Sequence, residues 1–193
     1  MVTTLTRWIV ALALAAASTP AFAQSAAAPA AAKSSSEIPH TAVEKAITRA
    51  LAELKPGVSI SDHLVSLADM GKYNVAVAVV ARPAGTFQSS LSHDRITEIY
   101  YVLKGSATQV TGTMVNGTPQ ARVSTTIGPS MTSAAPLQNP RTRKLSAGDM
   151  SVIPPGVGHT FTSIDAGGIQ YLVFRIDADH VLSMEPAAGE VRR

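Results

Sequence analysis

Two histidines and one glutamate stand in two short segments that are otherwise rich in β-branched, glycine and proline residues. His93 and Glu98 belong to the segment His-Asp-Arg-Ile-Thr-Glu, and His159 ends the segment Gly-Asp-Met-Ser-Val-Ile-Pro-Pro-Gly-Val-Gly-His. Imidazole and carboxylate groups are ligands of Fe(II), Zn(II) and Mn(II) in proteins, often with coordination positions left open. These three residues are therefore the candidate metal ligands of the chain.

The spacing of the first two candidates requires a bend in the chain. His93 and Glu98 are five residues apart, and an odd separation on one continuous strand would put their side chains on opposite faces. A corner at Asp94-Arg95 would allow both side chains to point to one site. His159 would reach the same site from a new strand that follows the turn at residues 154–158. The three residues thus predict two hairpins that converge.

Each candidate ligand also has a purely structural explanation. His93 can cap a strand, and His159 can be a hydrogen-bonded histidine inside a barrel. Glu98 can form an ion pair with Arg95 or Arg175. For a lone histidine the structural explanation would be preferred, but three such residues at this spacing favour a metal site.

Three further residues are predicted around the site. Tyr100 shares a strand face with Glu98 and is the candidate catalytic residue, as a proton donor or as a group that orients a ligand. Its alternative role is an aromatic residue that fills the barrel. Phe161 shares the face of His159 and is predicted to line the pocket. Gln88 is predicted as polar pocket lining, with a position on the rim as the alternative.

Short β-rich segments with Gly and Pro between them must position these residues, and they predict an all-β fold. The candidate strands are 73–82, 97–103, 107–115, 150–153, 159–163 and 169–176. Asn116-Gly117 predicts a hairpin turn, and residues 125–140 are predicted to form a long loop. One helix is predicted within residues 37–57, where Thr41-Ala-Val-Glu44 forms a capping box.

Composition excludes several classes of function. The chain has no cysteine, which excludes disulfides, thiol nucleophiles, thiolate zinc sites and iron–sulfur clusters. The formal net charge of the 193 residues is +3, which is too small and too evenly spread to predict binding to nucleic acid. The expected partner is a small molecule.

The N-terminal residues 1–23 have the layout of a secretory signal peptide. Arg7 precedes an apolar run that is too short to span a membrane, and Ala21-Phe-Ala23 is the predicted cleavage site. Cleavage after Ala23 removes the charge of Arg7, so the net charge of +3 falls by 1 to +2. The expected mature protein is periplasmic or secreted and has no stable membrane anchor. Residues 24–36 are predicted to be a flexible Ala/Pro/Ser linker.

The two segments that carry the candidate ligands resemble the two motifs of the cupin superfamily. The second motif reads Gly, five residues, Pro, one residue, Gly, two residues, His, and it is matched by Gly148, Pro154, Gly156 and His159. The first motif is matched by Gly85, His93, Glu98 and Gly105. Its first histidine is missing, because Leu91 occupies that position.

The resemblance implies a cupin-type double-stranded β-helix, a jelly-roll barrel, over residues 58–182, followed by a C-terminal tail at 183–193. It also implies a metal site inside the barrel. Leu91 would project an apolar side chain into the pocket where a fourth ligand usually stands. Either the site keeps three ligands and resembles a 2-His-1-carboxylate arrangement, or the barrel has lost its metal.

The leading hypothesis is an exported single-domain cupin that holds one divalent metal ion, Fe, Mn or Zn, through His93, Glu98 and His159. It would bind or act on a small organic molecule. The alternative is a non-catalytic, metal-free cupin that binds a small ligand. Cupins host many reactions, so the resemblance leaves open whether the protein is an enzyme. A homodimer that covers the sheet edges is a further prediction.

Overall fold

The computed structural model describes residues 35–87, 89–120 and 126–183. The predicted signal peptide, most of the predicted linker, Gln88 and nearly all of the predicted C-terminal tail lie outside these residues. No helix within the described ranges is long and apolar enough to cross a membrane. The described residues form one helix and ten strands.

The helix and strands follow one another along the chain with short connections. Their bounds are α1 His40–Glu53, β1 Ser61–Asp69, β2 Asn74–Arg82, β3 Gly85–Thr86, β4 Ser90–His93, β5 Ile96–Thr113, β6 Thr118–Pro119, β7 Ser130–Ser133, β8 Gln138–Ser146, β9 Met150–Ile153 and β10 Val157–Asp177.

All strand pairings are antiparallel, as expected for a jelly roll. The longest strand, β10, pairs with β2, β3, β4 and β5, while β5 also pairs with β8 and β9. The main path runs β1-β2-β10-β4-β7-β6 and does not close on itself. This topology confirms the predicted all-β jelly-roll class with one N-terminal helix.

The inward faces of β2, β5 and β10 build the core. The buried positions of β5 include Glu98, Tyr100 and Val102, the set that alternation predicts to share a face. The largest apolar cluster consists of Ala78, Val80, Tyr100, Val102, Ala107, Leu145, Ile153, Phe161, Ile164, Ile169, Tyr171 and Val173. The core therefore surrounds the strand segments that carry the candidate ligands.

Helix α1 covers the opposite face of β2. Ala46 and Ala50 pack against Val79 and Ala81, whose side chains alternate with the inward-facing residues of the strand. The predicted capping box is wrong: the helix begins at His40, and no side chain caps it at the N-cap residue Pro39. The proline ring restricts φ of Pro39, whose backbone is extended. The chain therefore enters the helix in a fixed direction without a side-chain cap.

Two gaps between predicted strands, residues 104–106 and 164–168, lie inside the continuous strands β5 and β10. β5 runs through Gly105, and β10 runs through Gly168, where residues 165–168 bulge between two paired stretches. Both glycines have positive φ, at 80° and 72°. A Cβ on Gly105 would lie 1.9 Å from the carbonyl oxygen of Gly168. Glycine here allows close backbone approach within a bulged ladder, and it is not a strand terminator.

The predicted loop over residues 125–140 is also wrong, because it contains β7 and the start of β8. All residues of β8 except Leu145 are exposed, so the strand lacks the apolar alternation from which strands are recognised. Asn116 has a φ of 51° as in a turn, but it does not close a hairpin with β5. The following strand β6 pairs with β7, while β5 pairs with β8.

Candidate metal centre

The end of β4, the start of β5 and the start of β10 bring the three candidate ligands together. His93 ends β4 and Glu98 lies near the start of β5, with a bend at Asp94 whose backbone N–H donates to the carbonyl of Pro129 (3.0 Å). His159 lies opposite Leu91 in the pairing of β10 with β4. The predicted corner between the first two ligands is therefore present.

One oxygen of Glu98 faces both imidazoles. Oε2 lies 3.2 Å from Nε2 of His93 and 3.5 Å from Nε2 of His159, and all three side chains are buried. Four ligands at 2.0–2.1 Å from a zinc-like ion form a tetrahedron with edges of about 3.3–3.4 Å. The two separations therefore match the spacing of ligand atoms around a first-row divalent ion.

Hydrogen bonds to the far side of each ring orient the histidines. Nδ1 of His159 lies 3.1 Å from the carbonyl oxygen of Val157, which only accepts, so this nitrogen carries the proton. Nδ1 of His93 lies 3.0 Å from Oγ of Ser130, whose hydroxyl donates to the carbonyl of Gly128 (3.1 Å). Nδ1 of His93 therefore donates to that hydroxyl. With the Nδ1 proton directed away from the site, Nε2 of each ring faces Glu98, as a metal ligand requires.

The Nε2 lone pairs lack a donor. Nε2 of His93 is fully buried and makes no hydrogen bond within the described residues, and its neighbour Glu98 offers only carboxylate oxygens. Burial lowers the pKa of His159, which favours the neutral ring. Two lone pairs and a carboxylate oxygen directed at one another without a cation are electrostatically unfavourable. The residues present therefore fit a divalent metal ion.

Glu98 is also held by two other side chains. Its Oε1 accepts from Nε of Arg175 (2.9 Å), and its Oε2 accepts from the hydroxyl of Tyr100 (2.7 Å). Arg175 in turn pairs with Asp62. Burial alone would raise the pKa of Glu98, but the positive charge of the neighbouring Arg175 helps to hold the pKa well below its usual range. The carboxylate is thus ionised and fixed.

Tyr100 keeps its proton. Burial, followed by the charge of Glu98, raises its pKa well above the usual value, and the hydroxyl proton lies in the hydrogen bond to the carboxylate. The observed contact makes Tyr100 a residue that orients Glu98. Its ring also packs 4.6 Å from that of Tyr171, between centroids, so the barrel-filling role exists as well. Its catalytic role stays a prediction.

A cavity of about 190 Å³ adjoins the cluster. Its lining includes two members of the predicted site, His159 and Tyr100, and the two predicted lining residues Leu91 and Phe161. Gln88 lies outside the described residues. A larger cavity of about 530 Å³ lies on the other side of β10 and contacts none of the three candidate ligands. The smaller cavity is therefore the relevant pocket.

The polar lining residues that were not predicted from the sequence include Arg82 and Gln109. Arg82 ends β2 on the face that carries Ala78 and Val80. Strand alternation therefore predicts that Arg82 points inward, provided that this face is known to be the inner one. Gln109 follows the same parity as Ala107 on β5. Neither belongs to a motif, and only the burial of their strands distinguishes them.

Comparison with known proteins decides the family. The sequence model of the family described as Cupin matches residues 71–188, well over half of the chain. The chain belongs to the cupin family. Among curated proteins, no sequence matches this cupin. The family match includes both segments that carry the candidate ligands, and it confirms the resemblance seen in the motifs.

Solved structures similar to this cupin are distant. KdgF from Halomonas sp. is 19% identical at a TM-score of 0.38, with 64% of this chain and 83% of that chain covered. DMSP lyase DddQ from Ruegeria pomeroyi DSS-3 is 19% identical at a TM-score of 0.42, with 68% and 54% covered. An oxalate oxidase in complex with glycolate is 20% identical at a TM-score of 0.42, with 66% and 55% covered. This cupin thus spans about half of the last two proteins, and such distant similarity carries no argument about substrate.

Proposed function

We propose that this protein is an exported cupin that holds one divalent transition metal ion through His93, Glu98 and His159. The protein would bind or act on a small organic molecule in the adjoining cavity of about 190 Å³. One observation carries the proposal: two buried imidazole lone pairs, oriented by their far nitrogens, converge on a carboxylate oxygen at ligand-like separations of 3.2 and 3.5 Å.

When bound, the metal would supply Lewis acidity to an oxygen of the substrate. Glu98 then acts as a ligand and not as a free general base, since one of its oxygens faces the imidazoles and the other accepts from Arg175. Tyr100 lines the pocket and is the candidate catalytic residue, as a group that orients a ligand through Glu98 or as a proton donor once a substrate displaces its hydrogen bond. Export is supported by the signal-peptide pattern of residues 1–23.

A second candidate function is a metal-free cupin that binds a small ligand. It is favoured by the fact that Glu98 is already hydrogen-bonded at both oxygens, to Arg175 and to Tyr100. Such a carboxylate is satisfied without a metal. Leu91 in the pocket, where the first cupin motif has a histidine, points the same way.

Elemental analysis of purified protein after gel filtration without chelator tests the first candidate against the second. We expect close to one transition metal ion per chain, and we expect EDTA to lower the melting temperature. A ligand at 100 times its Kd stabilises a folded protein by about 2.7 kcal/mol, so the shift is measurable. The metal function would be refuted if the protein contains no metal, does not bind added Fe, Mn or Zn, and has the same melting temperature with and without EDTA.

Replacing Ser130 by alanine should weaken metal binding without touching a ligand. The change removes the hydroxyl that accepts from Nδ1 of His93, and loss of such an outer partner lowers metal affinity about 10–100-fold. Ser133→Ala is the matched control, since Ser133 is a buried serine of the same strand that donates to the carbonyl of Val115. Zn(II) competition titrations should separate the two variants; equal affinities would contradict the orienting role of Ser130.

A further inference from the structure

The cavity beside the metal centre contains an arginine with no acidic partner. We infer that Arg82, together with Gln109, forms a carboxylate-binding position, and that the ligand of this cupin is a small monocarboxylate with a short apolar body. The inference rests on the proposed function in that it names the substrate class of the same pocket. Its support comes from side chains other than the three candidate metal ligands.

Arg82 is directed into the pocket by strand alternation and fixed there by neighbours. It follows Ala78 and Val80 on the inward face of β2. Its Nε donates to the backbone carbonyl of Ser59 (3.2 Å), and the guanidinium lies 4.4 Å from the ring centroid of Phe87. Stacking on an aromatic ring holds the planar group in one orientation. The two terminal nitrogens make no hydrogen bond to the described part of the chain and are left for a ligand.

The charge of Arg82 is not neutralised within the described residues. The other arginine of the barrel interior, Arg175, pairs with both Asp62 and Glu98, whereas no carboxylate in the described ranges lies within ion-pair distance of Arg82. A guanidinium presents two parallel N–H groups that match the two oxygens of a carboxylate. A cation that lines a small pocket without a counter-ion is a binding position for an anion.

Gln109 supplies a second unsatisfied donor in the same cavity. It is 4% exposed, and its Oε1 accepts from Oγ of Ser151 (2.7 Å). Its Nε2 is buried and has no hydrogen-bond partner within the described residues. A buried amide N–H without a partner is costly, and Gln109 belongs to the lining of the cavity. A rotation of its amide toward the cavity would let this donor bind a ligand oxygen, so among the described residues Arg82 and Gln109 both offer donors for an acceptor.

The remaining lining limits the size and polarity of the ligand. A volume of about 190 Å³ is below the usual range of about 300–1,000 Å³ for pockets that hold drug-sized ligands. Leu91, Ile60 and Phe161 offer apolar walls, serine and threonine residues lie between them, and His159 connects the cavity to the metal centre. The pocket thus suits a short carbon chain with one carboxylate directed to Arg82.

Isothermal titration of propionate and of propionamide tests this assignment, because the two probes share size and shape and differ in charge. We expect the purified protein to bind propionate at least ten times more tightly than propionamide. Arg82→Met should weaken propionate binding about 10–100-fold, as expected for loss of charge-assisted hydrogen bonds, and leave propionamide unchanged. Arg141→Met is the matched control, because Arg141 is exposed on β8 and does not line this cavity.

Equal affinities of the two probes for the unmodified protein overturn the inference, and this comparison needs no variant to fold. Unchanged propionate affinity in a folded Arg82→Met protein overturns it as well. Each titration is run on EDTA-treated and on Zn(II)-titrated protein. Propionate binding by a protein that retains no Zn(II) would therefore refute the metal function and leave the carboxylate position in place. Zn(II) retention without discrimination between the probes would support the metal function and overturn the carboxylate position.

Discussion

Glu98→Gln should yield a folded protein that no longer retains a divalent metal ion through gel filtration. The substitution removes the only anionic candidate ligand, whose oxygen lies 3.2 and 3.5 Å from the two imidazole nitrogens. We expect the fall in affinity to exceed the 10–100-fold typical of changes to the outer partners of a ligand. Elemental analysis of wild type and variant, purified in parallel, measures the effect.

The fold should survive this change because the glutamine oxygen can still accept from Arg175 while its NH2 group donates to the hydroxyl oxygen of Tyr100, and Arg175 keeps its pair with Asp62. Removing one member of a buried ion pair outright costs about 3–5 kcal/mol, so Glu98→Ala would confuse lost binding with lost stability. Asp62→Asn is the matched control: it removes a carboxylate from the same network without touching a candidate ligand. Metal retained by Glu98→Gln, or lost equally from Asp62→Asn, would contradict the assigned ligand.

Gly105→Ala should destabilise the barrel by more than about 4 kcal/mol or prevent folding, although the change adds one methyl group far from any ligand. The new Cβ would lie 1.9 Å from the carbonyl oxygen of Gly168 and 3.1 Å from Cα of Ile169. Both contacts are backbone atoms of the paired strand β10, so the clash can be relieved only if the two long strands separate. Thermal or urea unfolding of the purified variant measures the effect.

Gly148→Ala is the control that separates steric clash from backbone strain. Gly148 has a φ of 88°, similar to the 80° of Gly105, but a Cβ there meets nothing within 4 Å. Left-handed backbone costs a residue with a Cβ about 1–2 kcal/mol, and we expect a loss of that size. A similar loss in both variants would mean that β5 and β10 can separate easily at Gly105, contrary to the close approach described above.

Local rules predicted the faces of the strands better than their bounds. Alternation placed Glu98 and Tyr100 on one buried face of β5, and the odd spacing of His93 and Glu98 required the bend that lies at Asp94. The same rules failed for β8, whose exposed polar side chains carry no periodic signal. There the backbone pairing with β5 makes the strand, and hydrogen bonds between backbones are independent of side-chain type.

The sequence by itself determined the fold class, the family and the three candidate ligands, because motif spacing and strand periodicity are local properties of the chain. Only the tertiary structure decided what surrounds those ligands. Arg175 is 77 positions from the Glu98 it pairs with, and Ser130 is 37 from the His93 it orients. Arg82 and Gln109 enter the same pocket from different strands. Contacts of this kind arise from the pairing of distant strands, and no local pattern encodes which buried polar group will meet which partner.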